Sequence, residues 1–335
     1  MQWDYGLPEH FSVPDHGLFI CNEGNFQYSN ASLSYYNPDS NSVINEAFFR
    51  ANGYRLGDVA NSCSLHNDKL WIVVNNSHVI FAVDINSFKE LGRIENLTSP
   101  RFIHFVNDEK AYVTQLWDNR IFIVNPKRYE IIGHISVPDM DMENGSTEQM
   151  VQFGKYIYCT CWSYQNRILK IDSETDSIVA QLTIGIQPRS IVIDKNQKLW
   201  VITDGGYSDS PYGSETPALF RIDAQSFAVE KKFLLSSAGD APSCLQLNVS
   251  ADTLYWINRH IWRMDINADA LPVAPFLKSD NSRFYALSVS PHNSELYVAD
   301  AIDYQQQGVI MRYSSHAVML DKFYVGITPG AFCWK

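Results

Sequence analysis

The sequence predicts an all-β protein, a single seven-bladed β-propeller with four-stranded blades that spans residues 1–335. Three observations predict this fold. An aromatic-aliphatic strand motif recurs along the chain, each copy is followed by further strand-like segments, and the C-terminus supplies one strand more than its own repeat needs. The motif begins at Leu18, Leu70, Ala111, Ile157, Leu199, Leu254 and Leu296.

Each repeat holds four short strands separated by turns. In the second repeat, the motif at Leu70 is followed by strands at Phe81–Asp84 and Glu90–Ile94, and the next repeat opens at Pro100–Ile103. A spacing of about 40 to 55 residues fits a propeller blade, whereas a helical solenoid would show a 3.6-residue periodicity. The strands are continuous apolar runs, as expected for sheets that neighbouring blades cover on both faces.

The two ends of the chain predict how the ring closes. Residues 1–17 are interpreted as an N-terminal extension, because no innermost strand precedes the motif at Leu18. Residues 329–335 form a surplus strand. We therefore expect residues 329–335 to become the innermost strand of blade 1, which closes the ring and leaves few exposed strand edges.

Composition and charge exclude several classes of partner. The net charge of −11, with scattered basic residues, argues against binding to nucleic acid or to an anionic membrane surface. No apolar run of about 18 residues predicts a transmembrane segment. The six cysteines lack metal-binding or redox spacing, so buried free thiols are the preferred interpretation. A disulfide between Cys21 and Cys333 stays open, because the predicted closure makes their strands neighbours.

A ligand site is predicted at the mouth of the central channel. The loops between the second and third strands and the connections between blades lie on one face of a propeller. In this sequence, these loops and connections carry aromatic rings beside polar groups, and this combination suits a sizeable neutral or mildly cationic ligand. Alternatively, these rings only cap the blade cores. The predicted ligand-binding residues are Asn22, Asn75, Arg101, Trp117, Asn119, Trp162, Tyr164, Asn166, Arg189, Tyr207, Asp300 and Tyr304.

Signatures of catalysis are scarce in this sequence. The common nucleophile, zinc and nucleotide-binding motifs do not occur, and the nine histidines show no ligand spacing. Glu23, Asn166 and Asp204 are weak candidates for a divalent cation, because their oxygens could meet at the channel. Asn and Asp also suit turns, so no metal site is predicted. Because the common motifs are missing, no catalytic residue and no cofactor is predicted either. The sequence favours ligand capture over catalysis.

A family resemblance rests on three segments. Ala111–Thr114, Ile168–Thr175 and Ile184–Arg189 resemble the YVTN-type repeat of YncE-like propellers, and the likeness extends over blades two to seven. As a whole, the chain is similar to the propellers of gut anaerobes that are often labelled surface-layer proteins. It is most similar to the BtuG-type lipoproteins, which capture cobalamin at the outer membrane.

The resemblance implies a function and a location. The ligand would be cobalamin or another corrinoid, passed to a TonB-dependent outer-membrane transporter, and the protein would be lipid-anchored at the cell surface through a residue upstream of Met1. A corrinoid has apolar ring faces and a fringe of amides, which fits the predicted loops. Two alternatives stay open: a metal-dependent lactonase-type hydrolase, and a surface scaffold that binds a glycan or a protein.

Overall fold

The structure, a computed structural model, describes residues 9–235 and 241–335. Residues 1–8, which are part of the predicted N-terminal extension, and residues 236–240 lie outside the described chain. The described strands form seven antiparallel sheets, and the predicted seven-bladed β-propeller is confirmed.

Strands β1 to β14 cover blades 1 to 3 and most of blade 4. They are β1 (Leu18–Asn22), β2 (Ser32–Asn37), β3 (Ser42–Ile44), β4 (Ala60–His66), β5 (Lys69–Val74), β6 (Val79–Asp84), β7 (Glu90–Ile94), β8 (Pro100–Asn107), β9 (Lys110–Gln115), β10 (Arg120–Asn125), β11 (Glu130–Ser136), β12 (Thr147–Phe153), β13 (Tyr156–Cys161) and β14 (Arg167–Asp172).

The remaining strands complete the ring. They are β15 (Ser177–Thr183), β16 (Pro188–Ile193), β17 (Lys198–Thr203), β18 (Ala218–Asp223), β19 (Ala228–Leu234), β20 (Ser243–Leu247), β21 (Thr253–Asn258), β22 (His260–Asp265), β23 (Phe284–Val289), β24 (Leu296–Asp300), β25 (Gln307–Tyr313), β26 (Met319–Ile327) and β27 (Pro329–Trp334). A short helix, α1 (Ala47–Asn52), joins blades 1 and 2, and a single 3-10 turn (Asn75–Ser77) follows β5.

The chain ends close the ring as predicted. Strand β27 pairs antiparallel with β1, so that Leu18 faces Trp334 and Ile20 faces Phe332. Blade 1 therefore has the order β27-β1-β2-β3, with its innermost strand taken from the C-terminus. This pairing removes the two edges that an open ring would expose.

The hydrophobic core is divided among the interfaces between blades. In β1, Phe19 and Cys21 pack towards blade 2, whereas Leu18 and Ile20 pack towards blade 7. Because alternate side chains of a strand point to opposite faces, both sets are buried, which explains the continuous apolar runs of the sequence. Each large apolar side chain that is buried in this way contributes about 1.5–3 kcal/mol to the free energy of folding.

Blade 6 differs from the four-stranded prediction. Its described part has three strands, β20 to β22, and the outermost position is marked only by a bridge between Ile261 and Leu277. The segment that leads to this bridge contains Pro272 and Pro275. Proline lacks the backbone N–H that a ladder needs, so a regular fourth strand does not form beside β22.

All six cysteines are free thiols in this structure. Cys333 lies opposite Phe19 rather than opposite Cys21 in the β1–β27 pairing. Cys63 of β4 belongs to the same core cluster as both, and the neighbouring Cys21 thiol raises the pKa of Cys63 well above its ordinary range. The closing strand thus brings three thiols together, where the sequence suggested two.

Candidate functional site at the channel mouth

Every innermost strand carries a β-bulge at its second residue. In blade 5, Pro188 pairs with Thr203 and Ser190 pairs with Ile202, which leaves Arg189 as the extra residue. The same irregularity occurs in the other six innermost strands. A bulge bends the strand and re-aims the extra side chain.

The bulged residues line one central cavity of about 370 Å³. We call these seven positions the ring residues. They are Asn61, Arg101, Glu148, Arg189, Cys244, Tyr285 and Gly330. One residue from each blade therefore contributes to a shared wall, with polar and apolar surface side by side, at the end of the channel where the loop-rich face opens.

Two ring residues form an ion pair. The Nε of Arg101 lies 2.8 Å from Oε1 of Glu148, whose carboxylate also accepts a hydrogen bond of 3.0 Å from the Ser146 hydroxyl. Glu148 is almost fully buried. Because each charge has a partner, this pair is stable in the cavity wall and adds little net charge to the channel.

Arg189 has a different environment. Within the described chain, its side chain forms no ion pair and no hydrogen bond with another residue. Its guanidinium lies over the indole of Trp162, 5.3 Å from the ring centroid. Burial opposes the charge, but the Cys244 thiolate, which forms only at high pH, and the Asp204 carboxylate outweigh this effect and raise the pKa of Arg189. Arg189 is therefore a cation that faces the cavity without a bonded counter-ion.

Trp162 is fixed between the cavity and the loops. Its Nε1 donates a hydrogen bond of 2.7 Å to Oδ2 of Asp204, and Asp204 also accepts from Nε2 of Gln187 at 3.0 Å. The guanidinium of Arg101 lies 5.9 Å from the indole centroid. Two cations thus share one aromatic ring, and such cation–π contacts contribute about 0.5–2 kcal/mol each.

Glu23 enters the cavity from the loop after β1. Its carboxylate accepts hydrogen bonds from the Tyr285 hydroxyl at 2.9 and 3.0 Å. A Cβ at Gly330 would lie 2.2 Å from Oε1 of Glu23, so glycine at this ring position makes room for the carboxylate. Burial raises the pKa of Glu23, and the Tyr285 bond together with Arg101 and Arg189 limits the rise.

Aromatic side chains surround the mouth above the cavity. Trp117 and Tyr207 are each 44% exposed, and Tyr304 is 37% exposed. The rings of Tyr164 and Tyr207 lie 6.3 Å apart, and Tyr304 meets the ring residue Tyr285 edge-on at 5.6 Å. Trp117, Tyr207 and Tyr304 therefore expose flat ring surfaces to solvent.

Several predicted site residues serve the scaffold instead. Asn22 is fully buried and donates to Ser32 and Ser34, while Asn75 is buried and donates to Ser99. Asp300 accepts hydrogen bonds from the backbone N–H groups of Ile302, in its own loop, and of Arg283, in the connection before β23. The structure does not bring these three side chains to the rim.

Asn119 and Asn166 are half-buried at the loop ends. Their backbone carbonyls accept hydrogen bonds from Val137 and Ile184, respectively. These bonds tie each loop to the segment that follows the outermost strand, so the backbone of both residues positions the rim.

Sequence reasoning missed five ring residues: Asn61, Glu148, Cys244, Tyr285 and Gly330. A signal for them exists, because each one is the second residue of an innermost strand. In blades 1, 3 and 5, that strand begins with the recurring proline at Pro329, Pro100 and Pro188. Counting one residue past the start of each innermost strand finds the whole ring.

The weak metal candidates do not converge on one point. In residues 9–235 and 241–335, no group of three or more His, Cys, Asp or Glu side chains is arranged to hold a metal ion. Glu23 is engaged with Tyr285, and Asp204 with Trp162 and Gln187. None of the described helices is long and apolar enough to cross a membrane.

Comparison with known families assigns the chain. Residues 16–322 match the family model described as a domain of unknown function, DUF5074. The chain belongs to the DUF5074 family. No curated protein matches this DUF5074 chain.

Solved structures share the propeller fold of this DUF5074 chain at low sequence identity. A quinonprotein alcohol dehydrogenase-like protein of Bacteroides thetaiotaomicron is 14% identical with a TM-score of 0.71, covering 97% of this chain and 78% of that protein. The periplasmic gluconolactonase of Pseudomonas aeruginosa is 11% identical with a TM-score of 0.68, covering 95% and 98%. A putative 6-phosphogluconolactonase of Bacteroides uniformis is 13% identical with a TM-score of 0.67, covering 96% and 100%.

Proposed function

We propose that this DUF5074 propeller is a non-enzymatic ligand-capture protein that holds a corrinoid over the channel mouth. One observation carries the proposal: exposed aromatic rings surround a polar cavity to which all seven blades contribute. Concave sites of this kind, with apolar surfaces and a few convergent polar groups, are typical of small-molecule binding.

A corrinoid matches both layers of this site. Its flat apolar faces can pack on Trp117, Tyr207 and Tyr304, which are exposed at the rim. Its fringe of amides and its phosphodiester can accept hydrogen bonds from polar side chains near the cavity. Because the cavity holds only about 370 Å³, the ligand would cover the mouth and send one group into the channel.

Calorimetric titration with cyanocobalamin tests the ligand class. We expect one-to-one binding, weakened about 30-fold by Trp117→Ala or Tyr207→Ala alone and further when both are present, since a central aromatic anchor contributes about 2 kcal/mol. Tyr324→Ala is the matched control, because Tyr324 is exposed on the outermost strand of blade 7. No binding heat, or equal affinity for the double variant and the control, would contradict the proposal.

The family resemblance supports a place for this activity at the outer-membrane surface. We propose that a lipid anchor upstream of Met1 holds the protein there, and that a TonB-dependent transporter receives the ligand. Protease treatment of intact source cells should remove the protein, and a transporter should co-purify with it after mild crosslinking. Retention of the protein inside treated cells would contradict this location.

A lactonase-type hydrolase is the second candidate. It is favoured by Glu23, because a half-buried carboxyl with a raised pKa beside a cavity is suited to general acid or base chemistry. Two of the similar structures carry lactonase names. Hydrolysis of glucono-δ-lactone, measured with and without a chelator, tests it. Turnover that Glu23→Gln abolishes would favour the enzyme, and a rate equal to the uncatalysed one would remove it.

A further inference from the structure

We infer that Arg189 forms an anion-binding subsite in the central channel, which takes a carboxylate or phosphate group of the ligand. The inference rests on the proposed function, because it places the ligand at this mouth. It goes further by assigning the charge of the group that enters the channel and the residue that binds it.

Of the two cations that line the cavity, one has no bonded partner among the described residues. Arg101 and Glu148 form an ion pair. Glu23 takes its hydrogen bonds from Tyr285, and burial favours its neutral form. The carboxylate of Asp204 is occupied by Trp162, Gln187 and the Gly206 backbone N–H. Of the four charged side chains that line the cavity, only Arg189 has no bonded partner among the described residues.

Arg189 is half-buried, and a partly desolvated cation without protein hydrogen bonds is stabilised by any acceptor that enters the cavity. The guanidinium has five N–H donors in a planar fork, and no described protein acceptor uses them. This fork matches the two oxygens of a carboxylate or phosphate, and charge-assisted bonds of that kind are about twice as strong as neutral ones. The geometry therefore favours an oxyanion over a neutral group.

Neighbouring residues shape the space around the same ligand group. The paired Arg101 side chain and the Tyr285 ring lie on the same wall as Arg189. Trp162 holds its indole close to both guanidinium groups and thereby restricts their positions. The cavity of about 370 Å³ accommodates an oxyanion with a few attached carbons, such as a sugar acid or the phosphate of a larger ligand.

Calorimetry with inorganic phosphate and gluconate tests the subsite, and sorbitol serves as the uncharged control. At low ionic strength, we expect both anions to bind the wild-type protein and sorbitol not to bind. Arg189→Gln should weaken anion binding at least tenfold, and Arg189→Lys should weaken it less. Arg128→Gln is the matched control, because Arg128 is exposed and pairs with Glu130 outside the channel. Failure of both anions to bind, or equal affinity of Arg189→Gln and wild type, would overturn the inference.

A measurement on the wild-type protein covers the case in which Arg189→Gln does not fold. Phenylglyoxal modifies accessible arginines, and mass spectrometry identifies the modified position. We expect phosphate to protect Arg189 from modification while Arg128 reacts at an unchanged rate. Equal modification of Arg189 with and without phosphate would overturn the subsite.

Cyanocobalamin separates the two proposals. If it binds wild type and Arg189→Gln equally, ligand capture stands and the anion subsite is wrong. If the anions bind through Arg189 while cyanocobalamin does not bind, the subsite stands and the corrinoid is removed. Phosphate binding to wild type without competition against cyanocobalamin would place the two ligands at separate points and would overturn the inference that an anionic group of the captured ligand enters this subsite.

Discussion

Replacing Tyr285 by Phe removes one hydroxyl and leaves the ring in place. In the wild-type protein, that hydroxyl donates to both carboxylate oxygens of Glu23, at 2.9 and 3.0 Å. A hydrogen bond to a charged group contributes about 1.5–3 kcal/mol, and the ring shape is kept, so no cavity adds to the loss. We expect Tyr285→Phe to lower the free energy of unfolding by about 2 kcal/mol when Glu23 is ionised.

The effect should depend on pH with a definite sign. Burial raises the pKa of folded Glu23 above its ordinary value of 4.5, so the folded state holds this proton more tightly than the unfolded chain. The Glu23 contribution to stability is therefore largest below pH 4.5 and declines as the pH rises through the raised pKa. Tyr285→Phe should lower the free energy of unfolding least in acid, where the hydrogen bond joins two neutral groups. It should lower this free energy most at pH values above the raised pKa of Glu23.

Denaturant unfolding followed by tryptophan fluorescence, at several pH values, measures this effect. A double-mutant cycle with Glu23→Gln isolates the pair, and we expect a coupling of at least about 1 kcal/mol at high pH. Tyr304→Phe is the control, because Tyr304 contacts the Tyr285 ring but not Glu23. The reasoning would be refuted if Tyr285→Phe lowered the free energy of unfolding equally at all pH values. It would also be refuted if the loss were the same in the Glu23→Gln background.

Three further predictions concern the closure, the ring and the thiols. Deletion of residues 329–335 removes the innermost strand of blade 1, so we expect calorimetry to show a broad, low-temperature transition, and an unchanged melting curve would contradict the closure. Gly330→Ala should displace the Glu23 carboxylate and destabilise the protein by about 1–3 kcal/mol, whereas Gly133→Ala, where a Cβ meets only ordinary contacts, should change melting little. Ellman's reagent in denaturant, without reductant, should titrate all six cysteines, and a lower count would reveal a disulfide.

The fold was predictable because each blade repeats the same local pattern. Apolar runs at Leu70, Ala111 and Leu199 are needed wherever a strand is buried between two blades, so the repeat identifies the architecture without any long-range information. The surplus strand that begins at Pro329 was predictable from the number of strands, because the C-terminal repeat has one strand too many and blade 1 has one too few. Pro272 and Pro275 also explain why the described part of blade 6 lacks a regular fourth strand.

The site was only partly predictable, because side-chain direction depends on register. A shift of one residue turns a strand side chain to the opposite face, and the bulge in each innermost strand makes such a shift. Arg101 and Arg189 were among the predicted ligand-binding residues, whereas Glu148 and Tyr285 lie at equivalent positions and were missed. Asn22 and Asn75 resembled loop ligands in the sequence but are buried in hydrogen bonds of the scaffold.

The sequence by itself determined the seven-bladed ring, its closure and the aromatic rim, since these follow from repeated local patterns and strand count. Only the tertiary structure decided which residues meet at the axis, because the ring residues come from seven separate blades and converge through closure. It also decided that Arg101 has a carboxylate partner and Arg189 does not. That difference arises because Glu148 lies beside Arg101, while Trp162 lies beside both arginines. The spacing of these residues along the chain does not encode their positions in the folded protein.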